Sequence, residues 1–206
     1  MRKVDQLSGR STHIPESFSA RSRRAAERLA EAAARERLLD VAYGFADSPF
    51  GTLMVAVTPR GLVRLEYPDR DLDESLRELA AEISPRILEA PRATEEVRRE
   101  LEQYFEGKRT RFDVPIDMTR IHGFRRSVLE ETARIPFGAV STYREVASRA
   151  GSPRGMRAAG NALGSNPVPI VVPCHRVLRS GGGLGGYTGG VDRKVTLLRL
   201  EGVLQD

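Results

Sequence analysis

The 206-residue chain has one cysteine, Cys174, and only three histidines. A single thiol excludes an internal disulfide and a thiolate-rich metal cluster, so this sulfur is either a nucleophile or a small buried apolar group. Long apolar runs are also missing. No stretch reaches the roughly 20 residues that cross a bilayer, and Met1-Arg2-Lys3 leads into polar residues instead of the apolar segment of a secretory signal. With an unpaired thiol, these features predict a cytoplasmic protein. The glycine-dense stretch 180–190 lacks the Lys-Ser/Thr ending of a phosphate-binding loop and precedes no dinucleotide-type unit, which argues against nucleotide binding.

What is present is a globular composition, 40% hydrophobic, with a formal charge of +5 and a pI near 9.8. The charge is uneven. Residues 39–120 carry an acidic excess and residues 121–206 a basic one. A basic C-terminal part points to a polyanion partner, DNA or RNA first, against the plainer reading of a solvated basic surface.

The pattern along the chain divides it into three parts: an extension at 1–39, an α+β domain at 40–117, and a mainly helical domain at 118–206. Residues 1 to about 20 are polar and aperiodic and are expected to be disordered, whereas Ala20 to Leu39 has helical spacing. Apolar stretches between Val41 and Tyr67, broken at Asp47–Gly51 and Pro59–Gly61, predict a three-stranded antiparallel meander. Helices are expected over Asp71–Ile83 and Thr94–Phe105, each opened by acidic residues. No chemical constellation is legible in this domain.

Beyond it, Gly123–Ile135 reads as a helix, and Thr142-Tyr143-Arg144-Glu145 as a capping box opening another that stops at Gly151. Ser152-Pro153 then predicts a second helix, running to Leu163 and closed by Gly164, so the pair forms a helix-turn-helix. This second helix has few side chains able to pair with base edges. Its small residues Ala158, Ala159, Gly160 and Ala162 suit either close approach to a nucleic-acid groove or tight helix packing.

Prolines at 167, 169 and 173 forbid a helix and predict a buried extended passage that delivers Cys174 to one place. His175 can keep a thiolate accessible, although adjacency alone does not set the ring against the sulfur. Tyr187 and Thr188 lie in a loop that is either a flexible connector or a close approach to a planar ligand.

Pro173-Cys174-His175-Arg176 follows Asn166-Pro167 and precedes Gly186-Tyr187-Thr188-Gly189-Gly190 and Leu198-Arg199-Leu200-Glu201-Gly202, with an Arg157-Ala-Ala-Gly helix upstream. In that order the motifs resemble the O6-alkylguanine-DNA alkyltransferases, strongly over 121–203 and moderately over 40–115. The resemblance implies an RNase H-like N-terminal domain and a helical DNA-binding domain carrying the active-site cysteine. It implies direct-reversal repair of double-stranded DNA, with alkyl groups moved from O6 of guanine, less readily O4 of thymine, onto Cys174 in a single irreversible turnover.

By the same likeness, Arg157 fills the gap left by a flipped base. Tyr143 crowds the target phosphate and bonds the guanine ring, and Ala158, Ala159, Gly160 and Arg176 lie at the DNA. His175 takes the thiol proton through a bridging water while Glu201 orients it. Asn166 ties the recognition helix to the active-site turn. Carbonyls of Cys174 and Val177 accept from the guanine amino group, and Tyr187 and Thr188 close over O6. No cofactor or metal is implied, and a monomer is expected. The cysteine-built zinc sites of some relatives cannot be present in that form. The alternative is a non-catalytic damage sensor of the alkyltransferase-like type, whose members replace the nucleophile.

Overall fold

The computed structural model describes residues 38–205 and, before them, residues 25, 28–30, 32, 33 and 36. Residues 25, 28–30, 32 and 33 are helical, in line with the expected N-terminal helix, and Ala30 is buried against Ala42 and Ala90. The disorder expected for residues 1 to about 20 lies outside the described residues.

Strands β1 (Val41–Ala46), β2 (Leu53–Thr58) and β3 (Gly61–Glu66) form the antiparallel meander, with Phe45 opposite Met54 and Val55 opposite Leu65. The β1–β2 connection is closed by Ser48, whose hydroxyl accepts from the Phe50 amide and donates to the Gly51 carbonyl. A short strand β4 (Ile87–Glu89) joins parallel to β1, so the sheet has four strands in the order β3-β2-β1-β4. Three residues are too few to show a period, which is why this strand escapes a sequence reading.

Alternation along β2 dictates the layering. Met54 and Ala56 face helix α1 (Leu72–Glu82), where Leu79 is buried, and Leu53 and Val55 share a core with Val97, Leu101 and Tyr104 of helix α2 (Glu95–Phe105). Asp71 caps α1 by accepting from the Glu74 amide at 2.8 Å. At Gly61, φ is +134° and a Cβ would strike the Pro115 carbonyl. The close approach lets segment 115–117 bond along β3, through Leu62 N to Pro115 O and Asp117 N to Leu62 O.

The C-terminal part contains α3 (Gly123–Ala133), α4 (Tyr143–Arg149), α5 (Met156–Gly164) and α6 (Val191–Leu200). A two-stranded parallel pair, β5 (Ser141–Thr142) with β6 (Val177–Leu178), stitches the start of α4 to the residues after Cys174. The capping box is present: Thr142 Oγ1 accepts from the Glu145 amide and Glu145 Oε2 from the Thr142 amide. Gly151 takes φ +87° beyond α4, as a helix stop requires.

Helix α5 starts at Met156, later than the Ser152-Pro153 opening predicted. The Gly155 amide bonds back to Ser152 O at 2.8 Å, so Pro153 sits in the turn instead of the first helical position. The two halves share one core: Leu53, Leu101 and Tyr104 pack in the same cluster as Val128, Val146, Val172 and Leu197. Truncating the fully buried Leu101 to alanine is expected to cost about 2–5 kcal/mol.

Candidate active site

Segment 166–173, predicted as an extended passage, instead folds back on itself before the cysteine, because prolines exclude a helix but permit tight turns as readily as extension. Val172 N bonds Val168 O and Val171 N bonds Pro169 O, each at 2.9 Å, and Ile170 takes φ +73°, the only non-glycine positive φ among the described residues. A β-branched side chain in that region is strained and persists only where its surroundings fix it. They do: Ile170 is fully buried, and the amide of Leu65 on β3 donates to Pro167 O at 2.8 Å. Asn166 closes the loop from within. Its Oδ1 accepts from the Val168 amide, and its Nδ2 donates to Val172 O at 2.8 Å and to Cys174 Sγ at 3.1 Å.

Cys174, His175 and Arg176 form one turn of 3₁₀ helix and all three are buried. Burial pushes the Cys174 thiol up to about 11, against the Asn166 hydrogen bond and the Lys194 charge, which favour the thiolate. At neutral pH the sulfur therefore carries its proton and needs a base to release it.

Glu201, at the end of α6, is buried, and burial alone would raise its pKa. Hydrogen bonds from His175 and Arg176 outweigh this and hold the carboxyl at about 2. Its Oε1 takes Tyr104 Oη at 2.6 Å, His175 Nε2 at 2.9 Å and Arg176 Nη2 at 2.8 Å, and its Oε2 takes Arg176 Nε at 2.8 Å. An ionised carboxylate only accepts, so Nε2 of His175 must bear the proton. The other ring nitrogen, Nδ1, is buried with no hydrogen-bond partner. Burial pushes the imidazole below its ordinary value, with Glu201 pulling the other way. The result is a neutral ring oriented through one nitrogen, with a free lone pair on the other.

Arg176, expected at the DNA, is instead an internal clamp. It chelates Glu201, donates from Nη1 to Ile135 O at 2.5 Å, and stacks over Phe137. Three carboxylate and carbonyl bonds outcompete solvent for the guanidinium and draw it inward. Ala159 is likewise corrected: its side chain is fully buried in the core, whereas Arg157 and Ala158 on the same helix are exposed and Gly160 is half-buried beside the Tyr143 ring. The small residues of α5 thus divide between packing and surface.

A cavity of about 730 Å³ is lined by Cys174 together with Tyr143, Arg157, Gly160, Tyr187 and Thr188. Tyr143 Oη donates to Gly186 O at 3.3 Å, and Gly185, at φ +72°, comes so near the Tyr143 ring that a Cβ would lie 2.9 Å from its hydroxyl. Thr188 Oγ1 donates to Gly164 O at 2.9 Å, tying the loop to the end of α5.

Val177, expected to offer its carbonyl to the guanine amino group, is fully buried and does not line this cavity, and its oxygen already accepts from Lys194 Nζ at 2.6 Å. Lys194 is fully buried, and burial lowers its pKa to about 8. Neither Lys194 nor Tyr104 is legible as a site residue in the sequence, nor are Arg144 and Arg179, two further cations on the cavity wall. Among the described residues no three His, Cys, Asp or Glu side chains are placed to hold a metal ion. No helix among them is long and apolar enough to cross a membrane.

Comparison with known proteins matches both halves. Residues 41–118 fit the ribonuclease-like domain of 6-O-methylguanine DNA methyltransferase and residues 123–203 fit its DNA binding domain. A methylated-DNA–protein-cysteine methyltransferase of Mycolicibacterium paratuberculosis is 40% identical over 161 residues, 78% of this chain and 92% of the relative. One of Methanosarcina barkeri is 38% identical over 77% of this chain and 96% of the relative. The crystal structure of Mycobacterium tuberculosis O6-methylguanine methyltransferase superposes with a TM-score of 0.67 at 36% identity, over 78% of this chain and 92% of that one. That of Mycobacterium tuberculosis OGT in complex with DNA gives 0.66 at 35% identity over the same shares. With both domains matched and relatives covered almost end to end, the chain belongs to the 6-O-methylguanine-DNA methyltransferase family.

Proposed function

We propose that this protein repairs double-stranded DNA by moving an alkyl group from O6 of guanine onto Cys174, once per molecule. The observation that carries this reading is the cavity whose wall holds the only thiol of the chain, hydrogen-bonded to Asn166 and followed in sequence by a buried imidazole fixed on an ionised carboxylate. An alkyl carbon inside a base stack is out of reach of any buried sulfur, so the nucleotide must be extruded into the cavity. Exposed Arg157, on the rim of that cavity, suits insertion into the gap left in the stack.

In the proposed reaction His175 Nδ1 takes the thiol proton through a bridging water, and Glu201 stabilises the imidazolium that forms. The thiolate then attacks the alkyl carbon in line. A carbon–sulfur bond forms, the carbon–O6 bond breaks with its electron pair left on the base, and the guanine anion takes a proton at N1, restoring the C6 carbonyl of normal guanine. Tyr143 holds the base and Asn166 holds the sulfur. The thioether has no route back to thiol, so each molecule is consumed in use, and a monomer is the proposed state. The presence of Cys174 speaks against the damage-sensor alternative, and the cytoplasm is the proposed compartment.

The test is to incubate the chain with duplex DNA bearing O6-methylguanine and weigh it intact. One methyl per molecule on the Cys174 peptide supports the reading; repeated turnover on excess DNA contradicts it.

A further inference from the structure

The loop that walls the cavity is not held only by the domain that carries the cysteine. Tyr67, immediately after β3 in the N-terminal domain, places its hydroxyl 2.7 Å from that of Tyr187, and the rings meet edge to face at 6.2 Å. The loop backbone lies directly on Tyr67: a Cβ at Gly189 would fall 2.5 Å from Tyr67 Cε2, so only glycine fits there. A second tie runs beside the first. Arg193 stacks over the Tyr67 ring at 4.4 Å and donates to Asp69 Oδ1 at 2.8 Å and Gly189 O at 3.0 Å.

Tyr187 in turn meets the chemistry. It lines the cavity with Cys174, and its ring stands edge-on to the His175 imidazole at 6.4 Å. Burial raises both phenols above their ordinary range, so each keeps its proton and the pair is a true donor and acceptor at any working pH. A phenol ring turns about two side-chain torsions. Fixing its far end from another domain converts a mobile wall into a rigid one.

We propose that Tyr67 positions the Tyr187 wall of the cavity and thereby sets which alkyl groups reach Cys174. The inference rests on the alkyl-transfer reading above. A fixed wall holds a small substituent close to the sulfur and leaves little room for a large one. A released wall lets a bulky group in and holds a methyl group less well.

Tyr67→Phe removes only the hydroxyl and keeps the ring that Arg193 and Gly189 pack on. The measurement is the rate of mass gain, by intact-protein mass spectrometry, on duplexes carrying O6-methylguanine or O6-benzylguanine. The benzyl-to-methyl rate ratio is expected to rise about threefold to tenfold, the range of one net hydrogen bond. Uniform loss of folded protein would scale both rates and leave the ratio alone. Tyr187→Phe deletes the same bond from the other side, so the double variant is expected to shift the ratio no further than Tyr67→Phe does. An unchanged ratio in Tyr67→Phe, or additive shifts in the double variant, would overturn this inference alone. A wild-type chain that takes up neither substituent would instead overturn the alkyl-transfer reading, and this inference with it.

Discussion

The two halves of the molecule advertise themselves in opposite ways. The C-terminal half carries every motif from which chemistry can be read, and the N-terminal half carries none. Yet Tyr104 of α2 donates the shortest hydrogen bond to Glu201, Leu65 of β3 pins the loop before Cys174, and Tyr67 reaches Tyr187. Motifs record local demands such as a cap, a proline-fixed turn or a glycine approach. A hydroxyl delivered from 97 positions away leaves no such mark. The acidic domain without chemistry is thus part of the site's frame.

Perturbing one half at a time sharpens this contrast. The largest effect is expected in the C-terminal half from Glu201→Gln, which leaves the Arg176 guanidinium without its buried counter-charge and lets the imidazole reorient. Transfer to Cys174 should slow by about 100-fold or more, and stability should fall by about 3–5 kcal/mol. Rapid-quench transfer assays and denaturant melts check the two separately.

Next in size is Arg157→Ala, on the exposed face of α5. Transfer from duplex DNA should drop about tenfold, with a much smaller loss on free O6-benzylguanine, because only the duplex requires a flipped base. Equal losses on both substrates would show that the arginine serves the reaction and not extrusion.

Tyr104→Phe probes the N-terminal half directly. Deleting a hydrogen bond to a charged acceptor should cost about 1.5–3 kcal/mol of stability, and transfer should slow several-fold even where the protein remains folded. Full transfer rates in a folded Tyr104→Phe protein would reduce Tyr104 to a packing role.

Around neutral pH the effects are smallest, and they grow only in acid. Glu201 is lowered from its ordinary 4.5 to about 2, so its contribution to stability is present above about 4.5 and is lost as pH falls toward about 2. Melting temperature should decline across that window, and the decline should flatten in Glu201→Gln. His175 is pushed below its ordinary value by burial, so the base is already neutral at pH 7. The transfer rate should fall only on the acid side of pH 6.5.

How much of this was legible in the sequence differs by kind of signal. The capping box at Thr142 and Glu145, the stop at Gly151 and the rigid delivery of Cys174 follow from backbone rules that act within a few residues. Helix α5 starts later than Ser152-Pro153 predicts, because that pair satisfies a turn as well as a helix opening. Likeness to a family named His175, Glu201 and Asn166, which the fold brings together. It also placed Arg176 and Ala159 at the DNA, and burial decides otherwise for both. Lys194 and Tyr104 were invisible, since a lysine in an amphipathic helix and a tyrosine in an apolar face look the same whether or not they meet a carbonyl or a carboxylate.

The most direct test of the account is the intact mass of the protein after exposure to excess O6-methylguanine duplex, compared with Cys174→Ala. A gain of one methyl group, confined to the wild-type chain and located on Cys174, is the predicted result. An unchanged mass with a free thiol, or an equal gain in Cys174→Ala, would contradict it.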